Sequence, residues 1–218
     1  MTLIISTKCR DGVVVAADRR RLARYEKGPE TTKLFKLACG VVLAGAGDDA
    51  VLNEARVFIE RRIEESRSQS AEIKLFDIVE ITCSVVNKLV GYYMDKIEEP
   101  FVYVLAGLED LSRGTAKLYT IFGAGLSDVP WACLGSGSAY ARSIVDLLLT
   151  QGELKAEDVV KVIPPLFSLV SSVQTTVGGG VDMCIVKDGD GIGEIWHTSE
   201  VNLKPLKSAI LEAMGIRV

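Results

Sequence analysis

Hydrophobic residues near the start of the chain fall in short β-rich runs separated by polar turns. The first two runs, residues 2–9 and 12–18, flank Asp11-Gly12, a dipeptide typical of a hairpin turn. A second pair of runs is predicted over residues 34–37 and 41–44, around Cys39-Gly40. The chain is therefore predicted to begin with two β-hairpins.

From residue 48 the apolar positions recur at helical spacing, so the predicted elements change from strands to helices. Asp48 and Asp49 are placed to cap the first helix and to complement its dipole. Long helices are predicted over residues 48–68, 76–96, 139–149 and 156–172. Strands are predicted between and after them, over residues 101–108, 116–122, 181–186 and 192–197. Pro205 is predicted to open a short closing helix.

The order of these elements, in which strand hairpins alternate with pairs of helices, predicts an α+β protein. Two antiparallel sheets packed together, with helix layers outside, would bury the apolar face of each element. No linker or fixed-period repeat is evident, so residues 1–218 are predicted to form a single domain. Pro164 and Pro165 fall inside the last long helix, and they are expected to interrupt it and force a kink.

Composition narrows the possible functions. The chain is 48% hydrophobic and carries a formal net charge of −4, which argues against a nucleic-acid-binding surface. No apolar stretch of about twenty residues and no signal-peptide pattern is evident, so no membrane partner is predicted and the protein is expected in the cytoplasm. Five scattered cysteines and a single histidine, His197, disfavour a metal site and most histidine-dependent triads. No metal or cofactor is therefore expected.

A threonine directly follows the first methionine. Removal of Met1 would give Thr2 a hydroxyl nucleophile and a free α-amine on the same residue. An α-amine has an unperturbed pKa of about 8, so a modest downward shift makes it a usable base at neutral pH. Activation of a hydroxyl by the residue's own N-terminal amine is an established catalytic solution. A Met-Thr start is common, however, and taken alone it usually has no chemical role.

Four further residues could support a nucleophile at Thr2, and each also has a structural interpretation. Asp18 and Lys33 could form an ion pair whose lysine lowers the pKa of the threonine groups; alternatively, Asp18 is an ordinary ion-pair partner and Lys33 snorkels. The backbone N–H of Gly45 could face a developing oxyanion, or the small residue could allow tight strand–helix packing. Ser136 could hydrogen-bond the nucleophile or cap the following helix.

Taken together, these segments resemble the proteasome β subunits, which are N-terminal nucleophile hydrolases. The matching segments occur in family order along nearly the whole chain: Thr2, Asp18, Lys33-Leu34-Phe35, Ala44-Gly45, Gly135–Ser138 and Gly178–Asp182. The resemblance implies a four-layer αββα sandwich and a threonine peptidase that cleaves peptides or unfolded proteins through an acyl-threonine intermediate. It also implies a ring, formed by copies of this chain or mixed with related subunits.

The resemblance also implies a role for each matching residue. Thr2 would be the nucleophile with its α-amine as proton acceptor, Lys33 would tune the threonine, and Asp18 would orient Lys33. Gly45 N–H would form the oxyanion hole, and Ser136 would hydrogen-bond near the amine. The pocket for the side chain before the scissile bond would include Arg21, Thr31, Leu43 and Gly47. There, Arg21 would favour an acidic or polar side chain, unless it points to solvent with its neighbouring arginines.

Two departures from the family pattern bear on activity. Catalytic members carry Arg-Asp-x-x-Ser-Gly-Gly before the penultimate strand, and here the supporting aspartate becomes Gln174 and the supporting serine becomes Val177. Ser136 would thus lose its usual partners. Only Met1 precedes Thr2, so a separate aminopeptidase would have to expose it. The sequence leaves three interpretations: a threonine peptidase, a transpeptidase or ligase using the same acyl-enzyme, and a non-catalytic ring subunit.

Overall fold

The computed structural model describes residues 2–23, 26–37, 39–69, 73–93, 101–111, 114–122, 125–149 and 154–198. Its strands are β1 (Ile4–Cys9), β2 (Gly12–Asp18), β3 (Leu22–Ala23), β4 (Glu26–Lys27), β5 (Leu34–Leu37), β6 (Val41–Ala46), β7 (Val102–Leu108), β8 (Ala116–Phe122), β9 (Gly125–Asp128), β10 (Trp131–Leu134), β11 (Val181–Lys187), β12 (Gly191–Ile192) and β13 (Trp196–Thr198). Its helices are α1 (Asp49–Gln69), α2 (Leu75–Tyr93), α3 (Ser138–Leu149) and α4 (Ala156–Val173). No helix among these described residues is both long enough and apolar enough to span a membrane.

The first sheet brings the ends of three strands together beside Thr2. Its antiparallel order is β10-β1-β2-β11-β12, and β13 also pairs with β11. Ile4 in β1 lies opposite Ala17 in β2 and Leu134 in β10. The residues just before β1 therefore lie beside Asp18 on one side and beside the turn that follows Leu134 on the other.

The second sheet supplies the lysine. It is antiparallel throughout, with the order β5-β6-β7-β8-β9. Leu34 at the start of β5 lies opposite Ala44 in β6, so the next pair outward is Lys33 and Gly45. The register of one hairpin thus sets the positions of two predicted site residues.

Helices cover the outer faces of the two sheets. In β2, Val13 and Val15 face the second sheet, whereas Val14 and Ala16 face α3 and α4, and all four are fully buried. A strand buried on both faces reads as a continuous apolar run, which explains the sequence of β2. The apolar cluster of α1 and α2 packs on the outer face of the second sheet. These layers form the predicted αββα sandwich.

Most of the predicted elements are present, and the first helix is capped as expected. Asp48 Oδ1 accepts hydrogen bonds from the N–H groups of Ala50 (2.9 Å) and Val51 (3.2 Å). Strands β3, β4, β9 and β10 were not predicted from the sequence, and the single strand predicted over residues 192–197 is interrupted between β12 and β13. The closing helix expected from Pro205 lies outside the described residues.

The prediction that two prolines interrupt the last long helix is wrong, since α4 continues from Ala156 to Val173. Each proline removes a helical hydrogen bond. The buried residues Val159, Ile163 and Val170 nevertheless keep helical spacing on both sides of the prolines. This face of α4 packs on the first sheet.

Candidate active site

Thr2 is held in a buried position at the start of β1. Its exposed fraction is 1%, and its carbonyl accepts a hydrogen bond of 3.1 Å from Gly137 N–H. Gly135 has a φ of +89°, and a Cβ there would lie 2.2 Å from the Thr2 carbonyl oxygen. The turn between β10 and α3 therefore requires glycine at this position in order to pack closely against the Thr2 backbone.

The nitrogen of Thr2 is bonded to a serine hydroxyl that has partners of its own. Thr2 N–H donates to Ser136 Oγ at 3.2 Å, and Ser136 Oγ lies 2.9 Å from Thr176 Oγ1. Gln174 Nε2 also donates to the Ser136 carbonyl at 3.4 Å. Ser136 thus lacks the family's usual partners but bonds the Thr176 hydroxyl and the Gln174 amide instead.

Thr176 is a site residue that the sequence comparison missed. The motif alignment points to Val177 as the supporting position, but Val177 is fully buried in the core beneath α4. The hydroxyl comes instead from the residue just before it. The only sequence signal was the pair Thr175-Thr176 next to the glycine run.

The hydroxyl of Thr2 has a different environment from its nitrogen. Thr2 Oγ1 is buried and has no hydrogen-bond partner among the described residues. Leaving a buried polar group unpaired costs about 1–3 kcal/mol, so such atoms are rare in folded proteins. The fold thus keeps a threonine oxygen free of competing bonds at the point where the sequence predicts a nucleophile.

The predicted ion pair between Asp18 and Lys33 is present and fully buried. Lys33 Nζ lies 2.9 Å from Asp18 Oδ1, with the side chains 2% and 0% exposed. Lys33 Nζ also donates to the Arg20 carbonyl at 2.6 Å. Asp18 further accepts backbone N–H bonds from Leu3 at 3.0 Å and from Gly178 at 3.1 Å. Asp18 therefore links the start of β1 to the loop before β11 through hydrogen bonds.

Burial dominates the electrostatics of Asp18. It raises the pKa of the Asp18 carboxyl above its ordinary value, while the charge of Lys33 and the N–H donors of Leu3 and Gly178 oppose the rise. Removing one partner of such a pair leaves an uncompensated charge in the protein interior, so the pair is sensitive to mutation of either side.

The backbone of Gly45 is not placed as the resemblance implied. Its N–H donates to the Lys33 carbonyl at 3.1 Å, as part of the β5–β6 hairpin. A Cβ at this position would lie 2.7 Å from Leu52 and 3.0 Å from Tyr103, so glycine is needed for packing. In this conformation the Gly45 N–H is not free to bind an oxyanion, which corrects the sequence expectation.

The four predicted specificity residues separate into three environments. Arg21 and Thr31 line a cavity of about 320 Å³ that also reaches Lys33. Arg21 Nε lies 2.9 Å from Asp49 Oδ2 and the arginine side chain is 46% exposed, so its charge is paired at a position that solvent reaches. Gly47 lies instead in a cleft of about 310 Å³ whose wall includes Thr2.

Leu43 lines neither of these cavities. It is 1% exposed and belongs to the apolar cluster under α1 and α2. Its neighbours Val42 and Ala44 face the other sheet, so strand alternation turns Leu43 away from the site. The prediction that Leu43 contacts substrate is therefore wrong.

The fold defines a class of protein. An αββα sandwich of two antiparallel sheets between helix layers is the fold of the N-terminal nucleophile hydrolases. The sequence profile of the proteasome subunit matches residues 2–186. The chain belongs to the proteasome subunit family.

Individual relatives agree with this assignment over most of their length. Proteasome subunit beta 1 of Pyrobaculum arsenaticum is 27% identical over 214 residues, covering 94% of this chain and 99% of that protein. Proteasome subunit alpha of Methanococcus maripaludis is 23% identical over 202 residues, covering 92% and 75%. A solved structure of an Anbu mutant from Hyphomicrobium sp. superposes with a TM-score of 0.77 at 15% identity, covering 99% and 94% of the two chains.

Proposed function

We propose that the protein is an N-terminal threonine hydrolase that cleaves peptide bonds once Thr2 is the first residue of the mature chain. One observation carries the proposal. The Thr2 nitrogen is bonded to Ser136 Oγ, while Thr2 Oγ1 is buried without a partner among the described residues. A residue that uses its own amine as base needs this difference, because the amine must be oriented and the hydroxyl must stay available.

Acylation begins with proton transfer on Thr2. The free α-amine accepts the hydroxyl proton, directly or through one water, and Oγ1 attacks the carbonyl carbon of the substrate. The tetrahedral intermediate collapses when the ammonium returns a proton to the leaving nitrogen. The products are an acyl-threonine ester and a free amine, and water then hydrolyses the ester by the same proton transfers.

Lys33 supports this step through its charge. Its ammonium group is held 2.9 Å from Asp18 in an interior from which water is largely excluded. A nearby cation favours the deprotonated forms of both the hydroxyl and the amine. Asp18 fixes the lysine and, through Leu3 N–H, fixes the start of the strand that carries Thr2.

The Ser136–Thr176 hydroxyl pair orients the amine. Ser136 Oγ accepts from the Thr2 nitrogen and lies 2.9 Å from Thr176 Oγ1. The pair brings no formal charge, and it replaces the aspartate and serine of the family pattern. Substrate would enter through the cleft that is lined by Thr2 and Gly47. The chain would assemble into a ring of identical or related subunits.

A non-catalytic ring subunit is the second candidate, and one observation favours it. The Gly45 N–H is already bonded to the Lys33 carbonyl, so Gly45 in this conformation does not supply the oxyanion donor that the resemblance implied. Loss of one such donor costs about 10²–10³-fold in rate in a hydrolase.

Turnover of fluorogenic peptides separates these candidates. Protein that begins at Thr2 should hydrolyse the amide bond, Thr2→Ala should abolish turnover, and Thr2→Ser should retain part of it because a hydroxyl and an α-amine remain. Equal background rates in the parent protein and in Thr2→Ala would support the non-catalytic subunit.

A further inference from the structure

We propose that Asp182 is a positioning residue that keeps the Asp18–Lys33 pair aligned beneath Thr2. The catalytic part of this inference rests on the proposed function. Asp182 lies in β11 at the end of the matching segment Gly178–Asp182, the resemblance gives it no role, and its side chain is 2% exposed. A fully buried carboxylate is costly unless its oxygens are well paired, so its partners show what it holds in place.

Asp182 binds two segments that carry the ion pair. Arg19 Nη1 lies 2.9 Å from Asp182 Oδ1 and 3.1 Å from Oδ2. Thr32 Oγ1 donates to Asp182 Oδ2 at 2.7 Å. Arg19 directly follows Asp18 in the chain, and Thr32 directly precedes Lys33. One carboxylate therefore binds the immediate neighbours of both partners.

The backbone couples the same two segments. Thr31 N–H donates to the Arg19 carbonyl at 2.9 Å, and Arg19 N–H lies 3.1 Å from the Gly178 carbonyl. Gly178 N–H in turn donates to Asp18 Oδ2. Because these bonds form a continuous network, a shift of Arg19 or Thr32 changes the position of the pair. Misplacement of catalytic groups by about 1 Å costs roughly 100-fold in rate.

Two other ionisable groups approach this network from its exposed side. Arg19 Nε lies 3.3 Å from Glu30 Oε2, whose side chain is 52% exposed. His197 Nδ1 lies 3.3 Å from Asp182 Oδ1 and is 42% exposed. Glu30 offers a matched control, because it is a second carboxylate on the same arginine but does not contact Thr32.

Asp182→Asn and Glu30→Gln provide the test. The asparagine keeps the size of Asp182 but directs an NH₂ group at one of two donors, so the contact with either Arg19 or Thr32 is lost. We expect kcat to fall about 10- to 100-fold with KM within about twofold of the parent value. A crystal structure of the variant should show the Lys33 Nζ to Asp18 distance lengthened beyond 3.5 Å, outside hydrogen-bond range. Glu30→Gln should change neither quantity.

Each outcome decides the proposal. An intact Asp18–Lys33 contact in Asp182→Asn, a loss confined to KM, or an equal loss in Glu30→Gln would overturn it. If the parent protein turns over no peptide, the proposed function fails, and the distance in the crystal still decides whether Asp182 holds the pair. If Asp182→Asn does not fold, Thr32→Val removes the contact between Thr32 and Asp182 and should shift Lys33 in the same direction. An unmoved Lys33 there would refute the inference.

Discussion

Replacing Lys33 with alanine should destabilise the protein strongly. The substitution leaves the Asp18 carboxylate, which is 0% exposed, without its 2.9 Å partner. The backbone N–H bonds from Leu3 and Gly178 remain, but they do not supply a neutralising charge. Breaking a buried ion pair from one side costs about 3–5 kcal/mol, and we expect a loss of that size in the free energy of unfolding at neutral pH.

The loss should also depend on pH, with a defined sign. Burial raises the pKa of Asp18, and Lys33 opposes that rise, so the folded-state pKa rises further when Lys33 is removed. A carboxyl with a raised folded pKa binds its proton more tightly in the folded state, and stability falls as pH rises through that pKa. The deficit of Lys33→Ala relative to the parent should therefore be small below the folded-state pKa that Asp18 has in the parent. It should grow by up to about 1.4 kcal/mol per pH unit above that pKa and level off at the higher folded-state pKa of the variant.

Urea unfolding followed by circular dichroism from pH 4 to pH 8, at one protein concentration, measures both effects. Lys36→Ala is the matched control, since Lys36 is 40% exposed and its contact with Glu194 is 3.8 Å long. An exposed pair of this kind contributes about 0–1 kcal/mol. Equal losses in the two variants, or a Lys33→Ala deficit that does not change with pH, would refute the description of the pair.

Three further substitutions test other parts of the site. Thr176→Val removes the hydroxyl 2.9 Å from Ser136 Oγ and should slow acylation of Thr2 about 10-fold, whereas Thr175→Val should not slow it. Equal acylation rates in the two variants would contradict a role for Thr176. Gly135→Ala places a Cβ 2.2 Å from the Thr2 carbonyl oxygen at a φ of +89°, so it should lower the free energy of unfolding measured in urea by more than about 2 kcal/mol. Gly91→Ala, with no atom within 4 Å of the new Cβ, should be neutral or stabilising. Asp49→Asn frees Arg21 from its 2.9 Å partner and should shift the preference in a peptide panel toward acidic side chains; an unchanged preference would show that Arg21 does not contact substrate.

The fold and the ion pair could be predicted because they depend on local pattern and strand order. Asp11-Gly12 fixes the first hairpin, and its register places the end of β2 beside the start of β1. Asp48 caps α1 through hydrogen bonds within its own turn. Asp18 and Lys33 meet because Asp18 is the last residue of β2 and Lys33 immediately precedes β5, and both positions border the site.

The remaining features depend on side-chain direction, which sequence order does not determine. Leu43 faces α1 and α2 because of strand alternation, although its immediate neighbours face the other sheet. Thr176 reaches Ser136, while Val177, the residue aligned with the family serine, fills the core. Gly45 N–H is used by a hairpin bond whose partner is the predicted catalytic lysine itself. Each difference arises from three-dimensional packing.

Intact-mass spectrometry with a peptide epoxyketone tests the central claim most directly. An epoxyketone of this type reacts with both the hydroxyl and the α-amine of an N-terminal threonine. We predict that the purified protein lacks Met1 and gains one inhibitor per chain, with both new bonds mapped to Thr2 and no adduct on Thr2→Ala. A protein that keeps Met1, or one shown to begin at Thr2 that stays unmodified, would contradict the assignment of Thr2 as the nucleophile.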